Sequence, residues 1–244
     1  MVFQHGLCGA AGQPADVFPQ DQGTSLVTLE CRGHGESEAG PLDELTIATF
    51  SDDLTSLIES RAKGPVILGG ISLGAAIALR VAAKRPELVR GLLLARPAWL
   101  LERSPANMEP NAFVGRLIAA QGDTARETFE QSDWYNVLKQ GAPDNLKSLM
   151  GFFDRKPVGV TAALLTQISA DGPGVTLDEV RNITCRALVL GCDRDFIHPL
   201  DYARALSVMI PGAHFVQITA KATDADGYRQ SFRTALANFL DELQ

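Results

Sequence analysis

Histidine and cysteine are both scarce in this 244-residue chain, four of each, and neither is grouped. Cys8, Cys31, Cys185 and Cys192 form no C-x-x-C pair and have no histidine at zinc-finger spacing. A chain this long also has no need of disulfide staples. The four are expected to be reduced, mostly buried thiols, and no metal or organic cofactor is expected. No apolar run approaches the ~20 residues that span a bilayer, so no membrane partner is expected. The first ten residues lack the cationic segment of a secretory signal, which places the protein in the cytoplasm. Twenty-two Lys and Arg against 29 Asp and Glu leave a net charge of −7. With no basic cluster, a phosphate backbone has nothing to bind, which excludes nucleic acid as a partner. Internal repeats and low-complexity tracts are absent too. What remains, 45% hydrophobic and 21% charged, is the balance of a soluble globular domain that takes a small molecule.

Short apolar runs alternate with helical patterns. Residues 2–4, 25–30, 66–69, 91–95, 187–191 and 215–218 read as strands. Their near-continuous apolar character suits parallel strands covered on both faces. Between them, Ile47, Phe50, Leu54, Leu57 and Ile58 recur at helical spacing, as do Phe232, Leu236, Phe239 and Leu240. Strands joined by such helices predict right-handed crossovers and a doubly wound, mostly parallel α/β sheet, with ligands bound beyond the carboxyl ends of the strands.

One stretch breaks the alternation. Residues 98–175 carry no convincing strand, while segments 112–120, 124–138, 146–153 and 161–168 are amphipathic. The expectation is a core built from residues 1–97 and 176–244, with 98–175 a helical cap inserted between core strands. Such a cap would roof the carboxyl edge and set substrate selectivity.

After the strand at 66–69 comes Gly70-Ile71-Ser72-Leu73-Gly74, then an alanine-rich helix pattern. This is G-x-S-x-G in the strand, turn, helix setting that its mechanism requires. The glycines let the chain turn sharply, so Ser72 stands in a strained conformation with its hydroxyl above the sheet. The helix amino terminus behind it favours developing negative charge. The bare string is weak evidence, since Ser72 could equally be an ordinary helix cap; the setting gives it weight.

Near the start, Val2-Phe3-Gln4 leads into His5-Gly6-Leu7, and later comes Glu30-Cys31-Arg32-Gly33-His34-Gly35-Glu36-Ser37. Together with the serine turn, these segments resemble the α/β-hydrolase superfamily: the HG of its oxyanion loop, its D-x-R-G-H-G-x-S segment and its nucleophile elbow, in the same order. The resemblance implies Ser72 as nucleophile and the backbone amides of Leu7 and Leu73 as oxyanion donors. It also selects Asp195 over Asp193 as the acid, by the D-x-x-x-P spacing of Asp195 to Pro199. A carboxylate there would orient an imidazole, or merely cap its own turn. His5 and His34 are read as structural.

The same resemblance asks for a histidine just past the last strand, and residues 219–244 contain none. His214 precedes that strand, which puts it ~15 Å below the carboxyl edge. The vacant position falls near Thr223; neither it nor Lys221 is an evident substitute, because a lysine at about pKa 10.4 is protonated at neutral pH. Three readings stay open. His198, three residues past Asp195, could serve as base in a relocated triad, or simply belong to its turn. The oxyanion hole with a water or Asp195 could sustain turnover without a histidine, or the reaction could be one other than ester hydrolysis. Or the protein could bind a small ligand under its cap without turnover, fold alone not fixing function.

Two further expectations concern the rim. Arg96 and Trp99 follow a strand where the insertion begins, placing a guanidinium and an indole at the pocket mouth as substrate-binding groups; Arg96 could instead bridge core and cap. The superfamily usually has two more strands before the one ending at His5, so the resemblance implies either a sheet shortened at its N-terminal edge or a true start that lies upstream. The exposed edge would be a seat for a homodimer contact.

Overall fold

Five of the six apolar runs become strands, and the periodic segments become helices. The computed structural model describes residues 1–19 and 23–243. In chain order these contain β1 (Val2–Gln4), α1 (Gly12–Val17), α2 (Ile47–Arg61), β2 (Val66–Ile71), α3 (Leu73–Lys84) and β3 (Val89–Ala95). Six helices follow: α4 (Glu109–Gln121), α5 (Ala125–Glu130), α6 (Asp133–Gly141), α7 (Pro143–Phe152), α8 (Val158–Ala170) and α9 (Leu177–Arg181). The chain closes with β4 (Arg186–Gly191), α10 (Leu200–Met209), β5 (His214–Gln217) and α11 (Ala225–Asp241). Strands β1 to β5 lie side by side in chain order, each neighbouring pair parallel.

Covering both faces explains why β2, β3 and β4 are apolar along most of their length. Leu92, Leu94 and Val189 enter a core shared with α2, α3 and α10. The alternate residues Leu93, Ala95, Leu188 and Leu190 enter a second core with Phe232, Leu236 and Phe239 of α11. Period-two alternation thus feeds two cores at once.

Residues 25–30 do not form the expected strand. Val27 alone bridges Val2: Phe3 N–H donates to Val27 O, and Val27 N–H to Met1 O, each at 2.9 Å. Past that point the side chain of Gln4 takes over. Its Nε2 donates to Leu29 O at 3.0 Å, and its Oε1 accepts from Leu29 N–H at 3.1 Å. A side-chain amide reaches further than a backbone one, so Leu29 stands off from β1 and the ladder stops. The segment still flanks β1, so the chain steps outward from β1 and then returns across it to β2. That reversal makes the crevice above β1 and β2 a topological switch point.

Helices α4 to α8 lie between β3 and β4 and pack around their own cluster of Val114, Phe129, Leu138, Leu149 and Leu165. Gly115 lets α4 approach α8, since a Cβ there would stand 2.8 Å from that of Leu165. The amphipathic segment 124–138 is divided between α5 and α6, because Ser132 caps α6 by accepting from Tyr135 N–H. Among the described residues, no helix is long and apolar enough to cross a membrane.

Candidate active site

Strand β2 runs two residues further than expected and passes into α3 through Ser72 alone. Ser72 has φ 57° and ψ −113°, a region costly for any residue with a Cβ. Glycine on either side is obligatory: a Cβ on Gly70 would stand 2.2 Å from Gly74 C, and one on Gly74 would stand 2.5 Å from Gln4 O. Ser72 N–H donates to Ala95 O at 2.9 Å, pinning the turn to β3.

Facing it is the loop after β1. Gly6 N–H donates to Gln13 Oε1 at 2.6 Å and Gly9 N–H to Gly6 O at 2.9 Å, so the loop is held tightly on either side of Leu7. The Leu7 and Leu73 amides donate to no protein group among the described residues. Cys8 (φ 57°), Arg96 (46°) and Arg194 (52°) share the left-handed backbone of Ser72. One such residue therefore follows each of β1, β2, β3 and β4. Strain gathers at the carboxyl edge, where functional sites concentrate it.

His5 and His34 lie buried beneath the Leu7 loop, ring centroids 4.8 Å apart. His5 Nε2 accepts from Cys31 N–H at 3.1 Å, so its Nδ1 carries the proton and donates to Gly6 O at 2.8 Å. Burial lowers the pKa of both, that of His34 to about 3. Glu30 stands where the superfamily segment has its aspartate, and accepts from Ala11 N–H and Glu36 N–H, both at 2.9 Å. Burial pushes the thiols of Cys8, Cys31 and Cys192 up to about 12. All four cysteines are free.

Beyond β4, the Asp195 carboxylate is buried and fully engaged. Its Oδ1 lies 2.8 Å from His198 Nδ1 and accepts from Asn145 Nδ2 at 2.9 Å and from His198 N–H at 3.1 Å. Its Oδ2 accepts from Arg96 Nε at 2.7 Å. Burial opposes its ionisation, but Arg96 and His198 outweigh burial and hold the pKa well below the carboxylate range. For His198, burial lowers the pKa from 6.5; Asp195 partly opposes this and Arg96 reinforces it. The ring is therefore neutral at pH 7, and its Nε2 makes no hydrogen bond among the described residues.

Arg96 does not have the freedom expected of a substrate clamp. Its side chain is 8% exposed, bound to Asp195 and 3.7 Å from Asp144 of α7. Asp144 in turn pairs with Lys221 Nζ at 3.1 Å. Arg96 is the bridge between sheet and inserted helices, because two buried carboxylates need its charge more than the rim does. Trp99 is likewise misplaced by the sequence reading: it is 2% exposed, its indole N–H donates to Asp171 O at 3.0 Å, and it packs in the core.

Ser72, Arg96 and His198 line one cavity of about 90 Å³, together with Leu7, Asn111 and Lys221. It opens beside a groove of about 890 Å³. His214 starts β5 and faces a separate groove of about 700 Å³ against α11, which holds none of these residues.

Sequence reading missed Asn145 and Asn111. Asn145 Oδ1 accepts from Phe196 N–H at 2.7 Å and Ile197 N–H at 3.2 Å, so one amide ties α7 to the whole acid loop. Asn111 Oδ1 is buried with no partner among the described residues. The available signal was a polar residue on an apolar stripe: Asn145 four before Leu149, Asn111 three and seven before Val114 and Ile118.

Residues 2–225 match the model of the alpha/beta hydrolase family. The sn-1-specific diacylglycerol lipase ABHD11 of Mus musculus is 30% identical over 123 residues, covering 49% of this chain and 38% of the lipase. This chain thus spans well under half of that lipase's length. The pimeloyl-[acyl-carrier protein] methyl ester esterase of Chromobacterium violaceum is 27% identical over 251 residues, 99% of this chain and 94% of that one. Among solved structures, an esterase from Exiguobacterium antarcticum shares the fold, with TM-score 0.72, 17% identity, and coverage of 98% and 91%.

Proposed function

Because the chain belongs to the alpha/beta hydrolase family, we propose that it hydrolyses an ester, thioester or related acyl bond of a small molecule, with Ser72 as nucleophile, His198 as general base and Asp195 as orienting acid. The observation that carries this reading is the 2.8 Å contact between Asp195 Oδ1 and His198 Nδ1, on a histidine that shares its cavity with Ser72. Asp195 fixes the tautomer with the proton on Nδ1, leaving Nε2 with a free lone pair.

Ser72 Oγ attacks the acyl carbon as its proton passes to His198 Nε2. The carbonyl π pair moves to oxygen, and the alkoxide is received by the Leu7 and Leu73 amides. Two fixed donors outperform water here because they need no reorganisation. Collapse breaks the bond to the leaving group, which takes the proton from His198 and departs. Water then attacks the acyl-serine by the same route, releasing the acid and restoring the serine. Arg96 keeps Asp195 ionised, and Asn145 holds it in place. Helices within 98–175 act as the cap.

One observation favours a second reading, ligand binding without turnover: Ser72 Oγ makes no hydrogen bond to His198 among the described residues. Fluorophosphonate labelling separates the two. The wild type is expected to label, Ser72→Ala not at all, and His198→Gln far more slowly. No labelling alongside tight binding of a small molecule would support the binder. Labelling indifferent to His198→Gln would support turnover without a histidine.

A further inference from the structure

The groove leading to the Ser72 cavity has a charge opposite to that of the protein. The chain carries −7, yet the charged residues lining the groove are Lys147, Arg155, Lys156 and Lys221 against one carboxylate, Asp144. That carboxylate is already matched, lying 3.1 Å from Lys221 and 3.7 Å from Arg96. The second carboxylate of the network, Asp195, is matched by Arg96. Two acids and two bases cancel there, leaving Lys147, Lys156 and Arg155 uncompensated.

Arg155 is fixed in place by neutral groups, donating to Gly33 O and, at 3.1 Å, to Thr161 Oγ1. It meets no acid among the described residues. Lys147 and Lys156 are exposed and enter no ion pair among the described residues. The cations sit where a substrate would extend, because groove and cavity share Leu7, Gln13, Asp144, Ser148, Phe152 and Lys221 as a common wall. A concave surface of one sign concentrates ligands of the other.

From this we infer that the substrate is an ester or thioester bearing an anionic group, a carboxylate or a phosphate, which lies among Lys147, Arg155 and Lys156 while the acyl carbon reaches Ser72. The inference rests on the serine-hydrolase reading for the reaction, but the recognition can be tested without turnover. Titration calorimetry on the Ser72→Ala protein would compare monomethyl glutarate with neutral dimethyl glutarate, and a phosphate-bearing methyl ester of similar length with its neutral alcohol.

The anionic member of at least one pair is expected to bind about tenfold tighter at low salt, an advantage that shrinks as ionic strength rises. The pair with the larger ratio identifies the anion. The double variant K147E/K156E should abolish the preference, and circular dichroism would verify that it folds. Equal affinity within both pairs, or a preference indifferent to both salt and charge reversal, would overturn the inference. A wild-type protein that hydrolyses none of these esters, with the preference intact in Ser72→Ala, would instead sink the hydrolase reading and leave the anion site standing.

Discussion

Two histidine pairings lie within the same carboxyl edge and end in opposite states. The rings of His5 and His34 lie 4.8 Å apart, tilted by 39°, and meet backbone groups but no carboxylate among the described residues. His198 sits on a carboxylate at 2.8 Å with its second nitrogen left open. Burial depresses the pKa in all three. On the proposed reading, then, what would separate the base His198 from His5 and His34 is not desolvation. It is the acid on one nitrogen and space at the other.

The sharpest way to break this contrast is to remove one histidine from each side. His198→Gln and Ser72→Ala are each expected to lower kcat/KM for a short-chain ester by ~10³-fold or more. His34→Leu should cost less than about tenfold. Steady-state kinetics on the three variants checks this, and an equal loss in all three would erase the distinction. Next in size is Arg96→Met. It strands the buried Asp195, so a loss of about 3–5 kcal/mol is expected in urea unfolding.

A pH profile sharpens the comparison further. With its pKa below 6.5, His198 stays an unprotonated base at pH 6.5, so the acid limb of kcat/KM should fall below that value. Stability moves in step: below pH 6.5 the unfolded chain takes up a proton that the folded His198 refuses, so stability drops as pH falls toward the folded pKa. A limb above pH 7 would contradict the burial. The smallest effect is expected at Asn111→Leu. Removing an orphaned acceptor should gain about 1 kcal/mol, read as a higher urea midpoint at constant slope.

The local parts of this site were legible in the sequence. G-x-S-x-G implies its own geometry, because Gly70, Ser72 and Gly74 act on one another within five residues. The strand periods were legible for the same reason. The failures lie at long range. Residues 25–30 read as a strand because the pattern could not reveal that Gln4 would replace backbone pairing with its side chain. Arg96 and Trp99 were correctly placed after β3, but side-chain direction depends on Asp195, Asp144 and Asp171, far along the chain. Asn145 joins α7 to a loop 50 residues away, and no short pattern encodes such a partner.

The left-handed residues that follow four consecutive strands also bear on how the protein could be made hardier. At Cys8, Ser72, Arg96 and Arg194 the backbone would relax with glycine, which tolerates positive φ at no steric cost. Breeding this protein for heat resistance alone, with turnover never assayed, would favour glycine at Ser72 and leave a sturdier chain without the proposed nucleophile. Durability and chemistry compete for the same few peptide units.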